Sequence, residues 1–173
     1  MSRGVPTGEV GDLQFKSADV GPLDEVLKMG DSMTDSSKPT RLLLDAARLV
    51  HSLRKAVRAK DWHKMKVLLD QAGDMIMPES AMPELTRIQD EVDNRNLIHQ
   101  ITEALSRGAP SGFVGAMDAT SIDTALLEAR LAHWKEVGWK TEIAKDLVRV
   151  GTLFLILRRA MQAGDEEAAD DAL

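Results

Sequence analysis

The chain has 173 residues, with 43% hydrophobic, 29% charged and only 3% aromatic side chains, and it contains neither Cys nor Tyr. That length fits one domain, or one domain with a tail, and can bury a core without covalent staples. The composition excludes disulfides, thiolate metal sites and thiol nucleophiles and argues against an all-β fold or a base-stacking surface, while the formal charge of −6 disfavours general nucleic-acid binding.

Residues 1–37 read as an extended docking arm. They hold five Gly and two Pro with no sustained helical period, and only Leu23–Met29 suggests a short helical turn. Val10, Leu13, Phe15, Val20, Leu23, Val26 and Leu27 are its apolar anchors, against a partner or against the body of the chain. Leu13, Phe15, Leu23 and Leu27 are the candidate partner contacts. The N-terminus lacks the apolar region of a secretory signal, and Ser2 in place of Gly removes a myristoylation reading. The most apolar run, Leu147–Leu157, is interrupted by Arg149 and Thr152 and is far short of the roughly 18 residues a membrane span needs. A cytoplasmic location is the default, with an organelle, including the chloroplast, if a transit peptide has been removed.

Residues 38–173 read as a helical domain. A first helix over 39–59, with Pro39 in its first turn, carries Leu42, Ala46, Leu49, Val50, Leu53 and Val57 on one stripe. Asp61 caps a second helix through Trp62, Met65, Leu68, Leu69 and Ala72, which stops at Gly73. Residues 74–82, with Met75, Met77 and Met82, read as a loop with one buried face, the methionines filling gaps rather than binding metal. A third helix, 83–108, changes phase: Leu85, Ile88 and Val92 on one face, then Leu97, Ile98, Ile101 and Leu105 on another, so its two ends bend or meet different neighbours. Residues 109–120 read as a loop. A fourth helix over 122–137 is capped by Thr120 or Ser121, and a fifth over 140–163 is apolar all round from Leu153 to Leu157, which predicts a central position. Asp165-Glu166-Glu167 opens a sixth, and the chain ends just inside it, as a capping helix or as a piece of a longer array.

Three helix ends share one pattern. Leu53-Arg54-Lys55-Ala56 leads to Lys60-Asp61, Ile101-Thr102-Glu103-Ala104 leads to Gly108, and Leu157-Arg158-Arg159-Ala160 leads to Gly164-Asp165. Their spacing is that of a repeated helical hairpin.

No catalytic motif emerges. His51, His63, His99 and His133 form no metal-binding pair, and His99 with Glu103 reads as a surface contact. The glycines at 108, 112 and 115 follow a helix rather than a strand, so they are no phosphate cradle. Charge is more informative. Residues 38–66 carry nine cations against two acids, a net of +7, between segments of −4 (1–37) and −9 (67–173). Arg48, Arg54, Lys55, Arg58, Lys60 and Lys64 make the first hairpin a candidate docking surface for an acidic protein or a membrane-associated complex, or else a solvated face. Trp62, Trp134 and Trp139 stand beside helix ends, as core packing or as interface hot spots.

The paired helices with small residues near their turns resemble tetratricopeptide-like α-solenoid proteins, which implies partner binding. Over the first helix alone, Asp45-Ala46-Ala47-Arg48 followed by Lys60-Asp61-Trp62 is similar to the Q-type extrinsic subunits of photosystem II. That likeness implies a four-helix bundle with an N-terminal arm, bound to a membrane complex and without catalytic activity.

These readings converge on an all-α protein, an antiparallel helical-hairpin bundle or short α-solenoid of five to six helices with an extended N-terminal arm. The expected role is a non-catalytic binding, linker or scaffold subunit of a larger assembly, with other protein subunits as partners and no cofactor or metal. Two alternatives differ in kind. One is a small-molecule binder or enzyme whose pocket, between the third and fifth helices, is lined by Asp93, Asn94, Asn96 and His99. The other is nucleic-acid or anionic-surface binding by the first hairpin.

Overall fold

Helices account for almost all of the regular structure. The computed structural model describes residues 4–33, 37–113, 116–118, 121–138 and 141–172. Among them are seven α-helices: α1 (Gly21–Asp31), α2 (Lys38–Ala59), α3 (Trp62–Gly73), α4 (Met82–Ser106), α5 (Ala125–Val137), α6 (Glu142–Ala163) and α7 (Glu166–Asp171). A two-stranded antiparallel hairpin, β1 (Ser111–Phe113) with β2 (Ala116–Asp118), stands where a loop is expected. Strands of three residues are too short to show an alternating pattern. No described helix is long and apolar enough to cross a membrane.

The chain divides into two compact units, Met1–Asp93 and Asn94–Leu173. The division falls inside α4, where the sequence changes phase. Leu85, Ile88 and Val92 belong to the core of the first unit, and Leu97, Ile101 and Ala104 to that of the second. One helix therefore meets different neighbours at its two ends, as the phase change implies.

In the first unit, α2 presents Ala47, Leu49, Val50, Leu53, Ala56 and Val57 to a core shared with Met65 and Leu69 of α3. Leu42, at the start of the expected stripe, is exposed. Ser37 and Asp61 cap α2 and α3 by accepting the Thr40 and Lys64 amides. The expected extended arm is in part a helix: Pro22 sits in the first turn of α1, and Leu23 is buried in the same core. The segment before it is no free strand either. Gln14 donates its amide to Thr7 O at 2.7 Å, Asp19 to Gly4 O at 2.9 Å, and Pro6, Leu13 and Ala18 are buried. Sequence periodicity misses this because the segment is held by single contacts rather than by a stripe.

In the second unit, Leu97, Ile101 and Ala104 of α4 pack with Leu127, Leu131 and Trp134 of α5 and Ala144 of α6. Gly151 lets α6 approach closely: a Cβ there would lie 3.1 Å from Leu131 Cδ2. The start of α5 is set by Asp123, whose carboxylate accepts the Ala125 amide, and its N-cap is Thr124 rather than Ser121; Thr120 lies outside the described residues. Thr141 caps α6, and Asp165 caps α7 through the Ala168 amide. The apolar run on α6 is not central. Leu153, Phe154 and Ile156 are 43%, 45% and 46% exposed, while α6 turns Ala144, Gly151 and Arg158 inward and packs Leu147, Val148 and Leu155 against the core of its unit.

The repeated helix ends are one structural device. Lys60, Gly108 and Gly164 all adopt the left-handed conformation, with φ of 55°, 74° and 69°. The Lys60 and Asp61 amides return to Val57 O and Ala56 O, and the Gly164 and Asp165 amides to Met161 O and Ala160 O, so α2–α3 and α6–α7 are joined by the same two-residue turn.

Candidate functional site

Three buried charged clusters are the first places to look for chemistry. Arg54, fully buried on α2, donates Nε and Nη2 to both carboxylate oxygens of Glu84 at 2.7 Å, and Nη1 to Asp19 O at 3.0 Å. The geometry is the fork-on-fork pairing that makes an Arg–carboxylate contact strong and directional. Glu91, seven residues after Glu84 on α4 and also fully buried, accepts the Gly11 amide at 2.5 Å. Arg87 donates to Pro6 O at 2.8 Å. Three charged side chains thus grip the backbone of residues 6–19.

The second unit repeats the device. Arg158 stands two residues before Ala160, as Arg54 does before Ala56, and is 3% exposed. Its Nη2 donates to Leu105 O at 2.6 Å, and its Nη1 lies within reach of Arg107 O (3.1 Å), Ala104 O (3.3 Å) and Asp123 O (3.4 Å). The last carbonyls of a helix lack intrahelical donors and carry the negative end of its dipole, so the guanidinium caps α4. Burial lowers its pKa from the ordinary arginine value, with Asp123 opposing. Arginine still stays protonated. These clusters hold backbone in place. Sequence reading missed Glu84 and Glu91 as buried groups, although their seven-residue spacing puts both on one edge of the Leu85/Ile88/Val92 stripe.

The arm residues proposed as partner contacts are committed internally. Leu13 and Leu23 are 3% and 4% exposed in the first core, and Phe15 and Leu27 pack against it. Phe15 also meets Trp62 edge-on at 5.4 Å, which makes Trp62 a packing residue. Trp134 is buried and donates Nε1 to Gln100 Oε1 at 3.1 Å. Trp139 lies outside the described residues. The polar group of α4 does not converge on a pocket. Asn94 is buried and accepts from Thr141 Oγ1 at 2.7 Å, Asp93 accepts from Gln89, and Asn96 and His99 are exposed. Glu103 pairs with Arg107 at 2.9 Å. Among the described residues no group of three or more His, Asp or Glu could hold a metal ion.

The cations of the first hairpin separate into two sets. Arg48 is bound by Asp31 (2.7 Å) and Asp45 (2.8 Å), hydrogen bonds that raise its pKa, and Arg54 is the buried strut. Lys60, in its left-handed turn, sits 5.2 Å from the centre of the Phe15 ring. Lys55 and Arg58 in the last turns of α2, and Lys64 in the first turn of α3, are exposed and have no carboxylate partner among the described residues. Lys55 and Arg58 suit the negative end of the α2 dipole, but Lys64 stands at the positive end of α3, where a cation gains nothing from its own helix. At the other end of α3, Met75, Met77 and Met82 line an open groove of about 370 Å³ with Leu69, Ala72 and Leu85.

Comparison with protein-family models, with curated proteins and with solved structures finds no match to this chain. The tetratricopeptide-like and extrinsic-subunit likenesses therefore rest on the residues quoted for them alone.

Proposed function

We propose that the chain is a non-catalytic binding subunit that engages an acidic protein surface through the turn between α2 and α3. The observation that carries this is the set of Lys55, Arg58 and Lys64: three exposed cations around one turn, with no carboxylate partner among the described residues, in a hairpin where Arg48, Arg54 and Lys66 are paired with carboxylates. Such a cluster raises the encounter rate with a negative partner and fixes its orientation. The buried ionisable groups support a binding role, since Arg54, Glu91 and Arg158 bond to backbone and Glu84 is spent on Arg54. The arm takes no part in this reading, because Leu13 and Leu23 are spent on the chain's own core.

The test is affinity capture at low ionic strength with the wild type and with the triple variant Lys55→Glu, Arg58→Glu and Lys64→Glu, followed by salt titration of each recovered pair. The expected result is acidic proteins recovered by the wild type, released steeply by salt and lost in the variant, with the helical circular dichroism unchanged. Recovery of the same proteins by both chains sinks the reading.

A further inference from the structure

The methionines between α3 and α4 are expected to fill gaps, yet they leave one open. Met75 and Met77 are only partly buried against the first core, Met82 is 48% exposed, and the groove of about 370 Å³ lies between them and the two helices. The last turns of α3 form one wall through Leu69 and Ala72, and α4 forms the other through Met82, Leu85 and Gln89, spaced three and seven residues along one helix face. Met75 and Met77 stand in the non-helical link, on either side of Ile76. Ile76 is 79% exposed, whereas both methionines turn inward onto the core. Pro78, with a φ of −62°, and Pro83 in the first turn of α4 stiffen the backbone beside Met77 and Met82.

We propose that this groove is a binding site for a soft monovalent metal cation, Cu(I), held by the thioether sulfurs of Met75, Met77 and Met82. Three features select such an ion. The first is the donor set. Three of the nine methionines line one groove, in a chain with no cysteine. Thioether sulfur is neutral and polarisable, and it prefers Cu(I) to the hard, oxygen-seeking Mg²⁺ and Ca²⁺. The second is what stands beside the sulfurs. The described residues lining the groove include no charged side chain and no imidazole, only the neutral Thr86 and Gln89 as polar groups. A divalent ion would find there neither counter-charge nor the ligands that Zn²⁺ and Cu²⁺ take. The third is the surrounding charge. Residues 74–82 carry Asp74 and Glu79 and no basic residue, so the segment suits a single positive charge. The unbranched methionine side chain, with three rotatable bonds, lets the sulfurs close on an ion. The site lies at the opposite end of α3 from Lys64, so it stands apart from the reading of the basic turn. An apolar occupant would need the shape of the groove but not its sulfur, and that difference decides the test.

Silver(I) shares the charge and softness of Cu(I) without its redox chemistry, and silver nitrate in chloride-free buffer is the probe. The full chain, labelled with carbon-13 at the methionine methyls, is titrated and followed by NMR. The expected result is saturation at one Ag(I) per chain, with shifts confined to the methyls of Met75, Met77 and Met82. Met29 and Met33, 71% and 53% exposed in the α1 region, are the internal controls and are expected to stay in place. Cu(I), kept reduced by ascorbate without oxygen, is expected to move the same three signals, and Mg²⁺ and Zn²⁺ are not. Met77→Leu and Met82→Leu conserve apolar volume while removing a sulfur. Each is expected to weaken Ag(I) by about tenfold or more, since even an outer-shell partner of a metal is worth that much, with unchanged helical circular dichroism. Met29→Leu is expected to leave the affinity as it was. The absence of a saturable shift, equal shifts at Met29 and Met33, or an affinity that survives both Met77→Leu and Met82→Leu overturns the proposal.

Discussion

Three residues, Arg54, Glu84 and Arg158, carry the largest electrostatic stakes in this chain. Taking a guanidinium and a carboxylate out of water is costly, and the bidentate geometry at 2.7 Å is what makes the Arg54–Glu84 pair tolerable. The consequence is an asymmetry between breaking the pair and replacing it. Arg54→Met or Glu84→Met alone leaves a buried charge without its partner and is expected to cost about 3–5 kcal/mol. The double variant Arg54→Met/Glu84→Met removes both charges and is expected to cost much less than the sum of the singles. Urea unfolding of the four proteins checks this. Additive losses would mean that the two side chains act separately, Arg54 chiefly as the donor that holds Asp19 O. The Arg158 cage differs in kind: it has carbonyl partners and no buried carboxylate, so no second substitution can compensate for its loss.

At the scale of the element, the helix ends separate what space permits from what backbone conformation permits. Gly108 and Gly164 both have a left-handed φ, which costs a residue with a Cβ about 1–2 kcal/mol. A Cβ on Gly164 would meet nothing within 4 Å, whereas one on Gly108 would lie 2.2 Å from Asp123 O. Gly164→Ala is therefore expected to lose about 1 kcal/mol, and Gly108→Ala clearly more, because the backbone before α5 has to move. Thermal unfolding ranks the two, and equal losses would show that the Asp123 contact yields freely. Lys60 occupies the third such end and already bears the conformational cost. These ends, the Asp61 and Asp165 caps, and the α2 stripe from Ala46 to Val57 were legible in the sequence, since each is written in residues one to four apart. The grip of Arg54, Arg87 and Glu91 on residues 6–19 was not, because a side chain bonded to distant backbone leaves no periodic trace. The exposure of Leu153, Phe154 and Ile156 was hidden for the opposite reason: a helix apolar on every side shows that it wants neighbours, not which of its faces finds them.

At the scale of the whole molecule, α4 contributes to two cores that share no residue. Leu53 and Leu127 are each fully buried, the first in the core of Met1–Asp93 and the second in that of Asn94–Leu173. Truncation of a buried leucine costs about 2–5 kcal/mol, the lost transfer energy plus the cavity left behind. Where cores are separate, such a loss belongs to one cooperative unit, and the amides of the other keep their opening energy. Leu53→Ala is accordingly expected to reduce hydrogen-exchange protection in α1, α2, α3 and the first half of α4. Leu127→Ala is expected to reduce it in the second half of α4, α5 and α6. The informative amides are those of α4 itself. Ile88 and Val92 should follow the first substitution, Leu97 and Ile101 the second, with the change of allegiance at Asp93–Asn94. A uniform loss of protection along all of α4 in either variant would show that the helix couples the two cores into one folding unit, and the change of apolar phase would then mark only a change of neighbours.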